Sequence, residues 1–153
     1  MSNENESDGT DNVDLWERIK EFNYLFSYEE GDDLTFSPDV ITGLMKKLQR
    51  KSDLFRRTGG SHTAALASGE ELLYLAEDIG RHNAIDKVIG KAVMNGLALR
   101  ELVLLTSGRL SSEMVLKAVR SAIPIVVSRS ASTTLAMRTA RVSGLTMIGF
   151  VRG

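Results

Sequence analysis

The chain lacks cysteine altogether, although its 153 residues are enough for a single domain with a hydrophobic core. Without a thiol, these residues cannot form a disulfide, a thiolate metal site or a persulfide. No apolar run is long enough to span a bilayer, and the acidic N-terminus does not resemble a signal peptide. These absences predict a soluble, cytoplasmic protein that does not act in a membrane.

Acidic side chains are scarce over most of the sequence, although the formal net charge is only −1. Residues 1–33 hold eleven acidic and two basic side chains, whereas residues 34–153 hold nine acidic and seventeen basic ones. This basic excess favours an anionic partner such as a nucleotide or phosphate, although a solvated basic surface would show the same excess. The chain therefore divides into an acidic N-terminal segment at 1–33, partly disordered with a short predicted helix, and a domain at 34–153.

Helices and strands are predicted to alternate through residues 34–153 in the order α-β-β-α-β-α-β-α-β. Ser37-Pro38 is typical of a helix start, Gly144 of a helix end, and residues 145–151 are predicted to form the last strand. Strands separated by a single helix are expected to pair in parallel, while the first two strands form a hairpin. This order predicts a three-layer α/β sandwich around a mixed five-stranded sheet, similar to the cytidine-deaminase-like fold.

Four polar segments follow predicted strands and should converge where the carboxyl ends of the strands meet. They lie at 77–82, 106–109, 128–133 and 148–153, and the first three precede helices whose N-terminal amides are expected to face the crevice. Helix capping explains any one segment, but their convergence predicts a ligand site. Its donors to an anion would be the guanidinium groups and hydroxyls of Arg81, Arg109, Arg129, Arg152, Thr106, Ser107, Ser128 and Ser130.

Acid–base or metal chemistry is weakly indicated by this sequence. His82 is a candidate base beside Asp78, although a structural contact with a carboxylate would explain it equally well. Glu77 and Asp78 are adjacent on a strand, so their carboxylates should point in different directions and not act as a pair. Zinc-dependent deamination requires thiolate ligands, which the chain lacks. We therefore predict no catalytic residue and no zinc or other metal site.

Five stretches of the sequence resemble the FdhD family, and the similarity extends in order over roughly residues 36–153. They are FRRTGGSHTA at 55–64, EDIGRHNAIDK at 77–87, TSGRLS at 106–111, SRSA at 128–131 and IGFVRG at 148–153. The resemblance implies an accessory sulfurtransferase on a deaminase-like fold, which serves formate dehydrogenase and acts as a homodimer. Such proteins receive sulfur from a cysteine desulfurase and pass it to the molybdenum bis(molybdopterin guanine dinucleotide) cofactor.

The resemblance also implies where the cofactor, or a guanine nucleotide, would bind. The family's final Gly-Phe-x-Arg motif maps to Ile148, Gly149, Phe150, Val151, Arg152 and Gly153. The predicted crevice adds Arg81, His82 and Arg109 as further contacts. Formate dehydrogenase, a cysteine desulfurase and a second copy of the chain are the expected partners, with no nucleic acid and no membrane.

The chain departs from the family pattern because the Cys-x-x-Cys loop upstream of the Thr-Gly-Gly motif is absent. Cofactor binding is therefore expected, but sulfur transfer by this polypeptide alone is not. One alternative is a non-catalytic subunit that docks through Trp16, Phe22 and Phe26 to a cysteine-bearing partner, although we favour packing of these aromatics on the domain's own sheet. Another is a small enzyme that uses His82 and Asp78 on a nucleotide.

Overall fold

A computed structural model describes residues 34–152, so the acidic segment at 1–33 with its predicted helix, and Gly153, lie outside the described residues. The helices in this range are α1 (Pro38–Lys51), α2 (Asp53–Thr58), α3 (Arg81–Met94), α4 (Ser112–Arg120) and α5 (Thr134–Ser143), with a 3-10 turn at Leu99–Glu101. The strands are β1 (His62–Ser68), β2 (Glu71–Asp78), β3 (Val103–Thr106), β4 (Ile125–Ser128) and β5 (Thr146–Ile148). None of the helices within residues 34–152 is long and apolar enough to cross a membrane.

The five strands form one mixed sheet in the order β2-β1-β3-β4-β5, which confirms the predicted sheet. Strands β3, β4 and β5 are parallel, and β1 is antiparallel to both of its neighbours. The sequence predicted that β2 and β3, the strands before and after α3, would pair in parallel. They run in the same direction but do not pair, because β1 lies between them. Strands β2 to β5 nevertheless run in the same direction, so their carboxyl ends meet at one edge of the sheet, together with the start of β1.

Apolar side chains on both faces of the sheet are covered by helices, which gives the predicted three layers. Helix α1 lies against one face through Ile41, Leu44, Met45 and Leu48, all of them buried. Helices α3, α4 and α5 cover the other face, where strand residues such as Leu66, Leu104 and Val126 are fully buried. All four residues of β3 and all four of β4 are buried, as expected for central strands that are covered on both faces.

Local signals at two helix ends act as the sequence predicted. Ser37 Oγ accepts a hydrogen bond from the amide of Val40 at 3.3 Å, with proline at the first helical position of α1. Helix α5 ends at Gly144, whose φ of 68° is a left-handed conformation that glycine adopts without steric cost.

The last strand is shorter than predicted, since β5 ends at Ile148 instead of continuing to residue 151. Beyond it, the amide of Phe150 donates to the carbonyl of Ser130 at 3.1 Å and that of Val151 to the carbonyl of Ser128 at 3.0 Å. After β5 the chain therefore bonds both the last residue of β4 and the loop that follows β4. A regular apolar pattern in the sequence concealed this change of partner.

Candidate functional site

A cleft of about 880 Å³ opens at the edge of the sheet where the carboxyl ends of the strands meet. Its walls are the end of α1, helix α2 with the glycine turn that follows it, and the loops after β3, β4 and β5. This volume lies within the range of about 300–1,000 Å³ that is usual for small-molecule sites. The cleft is therefore large enough to take a nucleotide-sized ligand.

The lining of the cleft is strongly basic. Four arginines, Arg56, Arg109, Arg129 and Arg152, contribute to it, and no aspartate or glutamate occurs among the lining residues. All four side chains belong to exposed residues, although the guanidinium group of Arg56 also donates to the carboxylate of Asp53. Guanidinium groups present paired donors that match phosphate and carboxylate oxygens, so the cleft is suited to an anionic ligand.

The sequence suggested that hydroxyl groups around the cleft would be free to bind a ligand. Three of them instead form hydrogen bonds that connect the loops of the cleft. Ser107 Oγ accepts from the amide of Thr63 at 2.9 Å, which ties the loop after β3 to the start of β1. Ser128 Oγ donates to the carbonyl of Gly108 at 2.7 Å, and Ser130 Oγ donates to the carbonyl of Ser107 at 2.9 Å. These bonds hold the two arginine-bearing loops in a fixed relation.

The three helices whose N-terminal amides were expected to face the crevice begin outside the residues that line the cleft. Helices α4 and α5 begin at Ser112 and Thr134, beyond the lining residues Arg109 and Ala131. Helix α3 begins at Arg81, which does not line the cleft. The basic groups that line the cleft are therefore arginine side chains.

The predicted site residues fall into three groups in the structure. Arg109, Phe150 and Arg152 line the cleft, while Arg81 and His82 do not. Ile148 and Val151 pack beneath the cleft against the apolar cluster of α1. Gly149 lies close to the loop after β4, since a Cβ added there would stand 3.4 Å from the carbonyl oxygen of Ser130.

Phe150 has an unusual conformation for a residue with a side chain. Its φ is 57°, in the left-handed region that glycine favours, and the residue is 64% exposed. A left-handed conformation costs roughly 1–2 kcal/mol in a residue with a Cβ. The hydrogen bonds from the amide of Phe150 to Ser130 and from the amide of Val151 to Ser128 hold this backbone in place. The ring therefore stands at the rim of the cleft, available to stack on a planar group.

Arg81 supports the base of the site from the start of α3. A Cβ at Gly108 would lie 3.0 Å from Arg81 Cβ and 3.4 Å from His62 Nδ1, so glycine is needed for this close packing. Burial and, secondarily, the charge of Arg81 lower the pKa of His62 below its usual value, so His62 is neutral at neutral pH. His82 instead faces helix α4, with its Nε2 3.6 Å from Glu113 Oε2.

The adjacent carboxylates of Glu77 and Asp78 have separate partners, as the sequence predicted. Asp78 is bound by Lys87 Nζ at 2.6 Å and by the amide of Gly80 at 2.8 Å. These contacts, that of Lys87 foremost, lower the pKa of Asp78 to about 2, which makes it a poor proton acceptor at neutral pH. Within residues 34–152, no group of three or more His, Asp or Glu side chains is placed to hold a metal ion.

The sequence reasoning did not predict that the end of α1 and helix α2 would line the cleft, and Arg56 and Gln49 are two polar residues that it missed there. Arg56 lies on α2, a helix of six residues that has no amphipathic pattern to indicate it. Gln49 lies near the end of α1, and its Nε2 is buried without a hydrogen-bond partner. An unpaired amide beside a cleft is a group that a bound ligand could satisfy.

Comparison with known proteins adds a family and a fold. The FdhD/NarQ family model matches residues 8–153. Sulfur carrier protein FdhD of Bacillus subtilis (strain 168) is 46% identical over 119 residues, which are 78% of this chain and 45% of that protein. A crystal structure from Desulfotalea psychrophila, provisionally named a formate dehydrogenase accessory protein, is 34% identical with a TM-score of 0.70, covering 74% of this chain and 49% of that one.

The deaminase-like fold is confirmed by a more distant structure. The dCMP deaminase of cyanophage S-TIM5 has a TM-score of 0.56 at 12% identity, covering 74% of this chain and 99% of the deaminase. At that identity the likeness concerns the fold alone. By contrast, the chain spans about half the length of the FdhD relatives that it matches.

Proposed function

The chain belongs to the FdhD/NarQ family, and from this premise we propose that its arginine-lined cleft binds a guanine nucleotide group. In the cell this group would be part of the molybdenum bis(molybdopterin guanine dinucleotide) cofactor of formate dehydrogenase. The relatives are named as a sulfur carrier and as a formate dehydrogenase accessory protein, and these roles come to this chain as part of the proposal. The observation that supports it most directly is a cleft with four arginines and no acidic lining residue.

The residues of the cleft fit the chemistry of a nucleotide. Arg109, Arg129 and Arg152 are placed to share the charge of a diphosphate through paired N–H donors. The exposed ring of Phe150 offers a stacking surface for a purine. The unpaired amide of Gln49 would hydrogen-bond a polar edge of the ligand. When bound, the cofactor would supply the metal and its sulfur ligands, while these residues bind and orient its nucleotide part.

Cleft size indicates one nucleotide per chain. A volume of about 880 Å³ suits one guanine nucleotide, whereas the proposed cofactor carries two. We therefore propose that a second copy of the chain provides the second cleft, in a homodimer. Sedimentation velocity in the presence of GDP should show a dimer; a monomer at all protein concentrations would contradict this arrangement.

We do not propose that these 153 residues transfer sulfur by themselves. A persulfide requires a cysteine thiolate, and the chain contains no cysteine. The role that remains is to hold the cofactor during its sulfuration and delivery, with sulfur from a cysteine desulfurase carried on a cysteine outside these 153 residues. Mass spectrometry of the pure protein after incubation with a desulfurase and cysteine should detect no added sulfur, and a persulfide adduct would contradict the proposal.

A second candidate function is a non-catalytic subunit that works with a separate cysteine-bearing polypeptide. The observation in its favour is that these 153 residues contain no cysteine, which a persulfide requires. Affinity purification from the native host would decide, because a stoichiometric companion with a Cys-x-x-Cys sequence is required. Purification of a homodimer alone would remove this candidate.

Calorimetric titration with GDP tests the proposed function. The wild-type protein should bind GDP near neutral pH, and Arg152→Ala should weaken binding by roughly tenfold or more, since a charged hydrogen bond contributes about 1.5–3 kcal/mol. Arg138→Ala is the matched control, because Arg138 is exposed on α5 and does not line the cleft. Absence of GDP binding by the wild type, or equal losses in the two variants, would contradict the proposal.

A further inference from the structure

One wall of the cleft is helix α2, which is too short to be stable without contacts to the rest of the protein. Helix α2 has six residues, and it carries Phe55 and Arg56 into the lining. Helices this short are unstable by themselves because the first turn costs more conformational entropy than its few hydrogen bonds return. Its end is closed by Gly59, whose amide donates to the carbonyl of Phe55 at 2.7 Å. Its start needs a comparable restraint.

The usual cap at the start of α2 is missing. Ser52 occupies the N-cap position, but its hydroxyl donates back to the carbonyl of Leu48 at 2.7 Å and makes no capping bond. The cap is supplied instead by Glu77, at the end of β2. Its Oε2 accepts from the amide of Leu54 at 2.8 Å and its Oε1 accepts from the amide of Phe55 at 3.0 Å. These first-turn amides are the donors that an N-cap normally satisfies.

The same carboxylate also holds the other end of this wall. Ser61 Oγ and Thr63 Oγ1 both donate to Glu77 Oε1 at 3.3 Å. The backbone of Glu77 is fixed in the sheet, where the residue pairs with Thr63 across the β1–β2 hairpin. Residues 54–63, which include the arginine and the glycine turn of the cleft wall, are therefore tied at both ends to one rigid anchor.

We propose that Glu77 is a positioning residue for the ligand cleft, and this inference rests on the nucleotide-binding function proposed above. Glu77 does not itself line the cleft. As an anion, it would repel the phosphate groups of a nucleotide if its charge were what mattered. Its contribution is to fix the α2 wall so that Phe55, Arg56 and the glycine turn meet the ligand in one arrangement. Removing the charge of Glu77 should tighten nucleotide binding if repulsion dominates and weaken it if positioning dominates, so the inference can be tested.

The experiment combines GDP titration with amide hydrogen exchange on Glu77→Gln, Glu77→Ala and the wild type. Glu77→Gln keeps the size of the side chain but offers only one acceptor oxygen for the two amides, whereas Glu77→Ala removes both. In both variants the amides of Leu54 and Phe55 should exchange faster while those of β3 stay protected. GDP binding should weaken by roughly tenfold in Glu77→Gln and more in Glu77→Ala.

Glu71→Gln is the matched control, because Glu71 is exposed and lies at the opposite end of the same strand. It should leave both measurements unchanged. Tighter GDP binding by Glu77→Gln would show that charge dominates and would overturn the inference, as would unchanged exchange at Leu54 and Phe55. If the wild type bound no GDP, the proposed function and the positioning role would both fail, while faster exchange would still establish the cap.

Discussion

Phe150 joins an exposed aromatic ring to a left-handed backbone, a costly combination for a residue that contributes little to packing. The amides of Phe150 and Val151 donate to the carbonyls of Ser130 and Ser128, so hydrogen bonds on this segment hold the strained backbone in place. Because the ring stands beside Arg152 at the rim of the cleft, we interpret this strain as serving ligand binding. This interpretation predicts that a change at Phe150 affects ligand affinity and the free energy of unfolding differently.

Phe150→Gly should therefore weaken ligand binding without weakening the fold. Glycine relieves the strain of the positive φ, about 1–2 kcal/mol, but its greater freedom in the unfolded chain offsets about 0.5–1 kcal/mol. The free energy of unfolding should stay within about 1 kcal/mol of wild type, while GDP affinity falls roughly tenfold through loss of stacking. Urea unfolding and calorimetry measure the two quantities. A large loss of stability with unchanged affinity would show that the ring is structural.

Asp78 gives the fold a dependence on acid. Contacts from Lys87, Gly80 and Asn83 lower its pKa to about 2 in the folded protein, from its usual value of 3.8. A depressed carboxyl pKa stabilises the fold above the unfolded value and loses that contribution as pH falls through the folded value. Stability should therefore decline between about pH 4 and pH 2.

Asp78→Asn should remove this part of the acid dependence, because asparagine does not titrate. Thermal unfolding of the wild type and the variant, measured from pH 7 to pH 2, checks the prediction. The variant should be less stable at neutral pH, and its curve should approach that of the wild type in acid. A constant difference between the two curves at every pH would contradict the assignment.

At the scale of elements, the sequence predicted the regular helices and strands well because each carries its own signal. Helix α1 has both a capping serine with proline and a continuous apolar face. Helix α2 and the bend after β5 carry no such local signal. Helix α2 depends on the carboxylate of Glu77, which lies 23 residues from Leu54 in the chain. The bend after β5 depends on the carbonyl groups of Ser128 and Ser130. Contacts between distant segments cannot be deduced from local spacing.

The role of α1 as the helix on its face of the sheet gives a prediction about stability. Leu44 is 1% exposed between α1 and the sheet, so Leu44→Ala should lower the free energy of unfolding by about 2–5 kcal/mol. Leu73→Ala is the matched control on edge strand β2, where the residue is 41% exposed, and should cost less than about 1 kcal/mol. Chemical denaturation compares them, and similar losses would show that the α1 layer contributes little.

At the scale of the whole molecule, the order of elements and the family motifs together predicted the fold and the region of the site. Carboxyl ends of parallel strands meet at one edge, which brought Arg109, Arg129 and Arg152 into one cleft. The same reasoning placed Arg81 and His82 there too, but side-chain direction sends Arg81 along Gly108 and His82 toward Glu113. Topology therefore predicts which loops converge, whereas packing decides which side chains line the cleft.

The most direct test of the central claim is a map of backbone amide chemical shifts as GDP is added to the isotope-labelled protein. The claim is that the carboxyl edge of the sheet forms a cradle for a guanine nucleotide. GDP should produce the largest, saturable shifts at residues 59–63, 107–109, 129–131 and 149–152, and none at the β1–β2 turn at the opposite end of the strands. Shifts centred on that turn, or no saturable shifts at all, would contradict it.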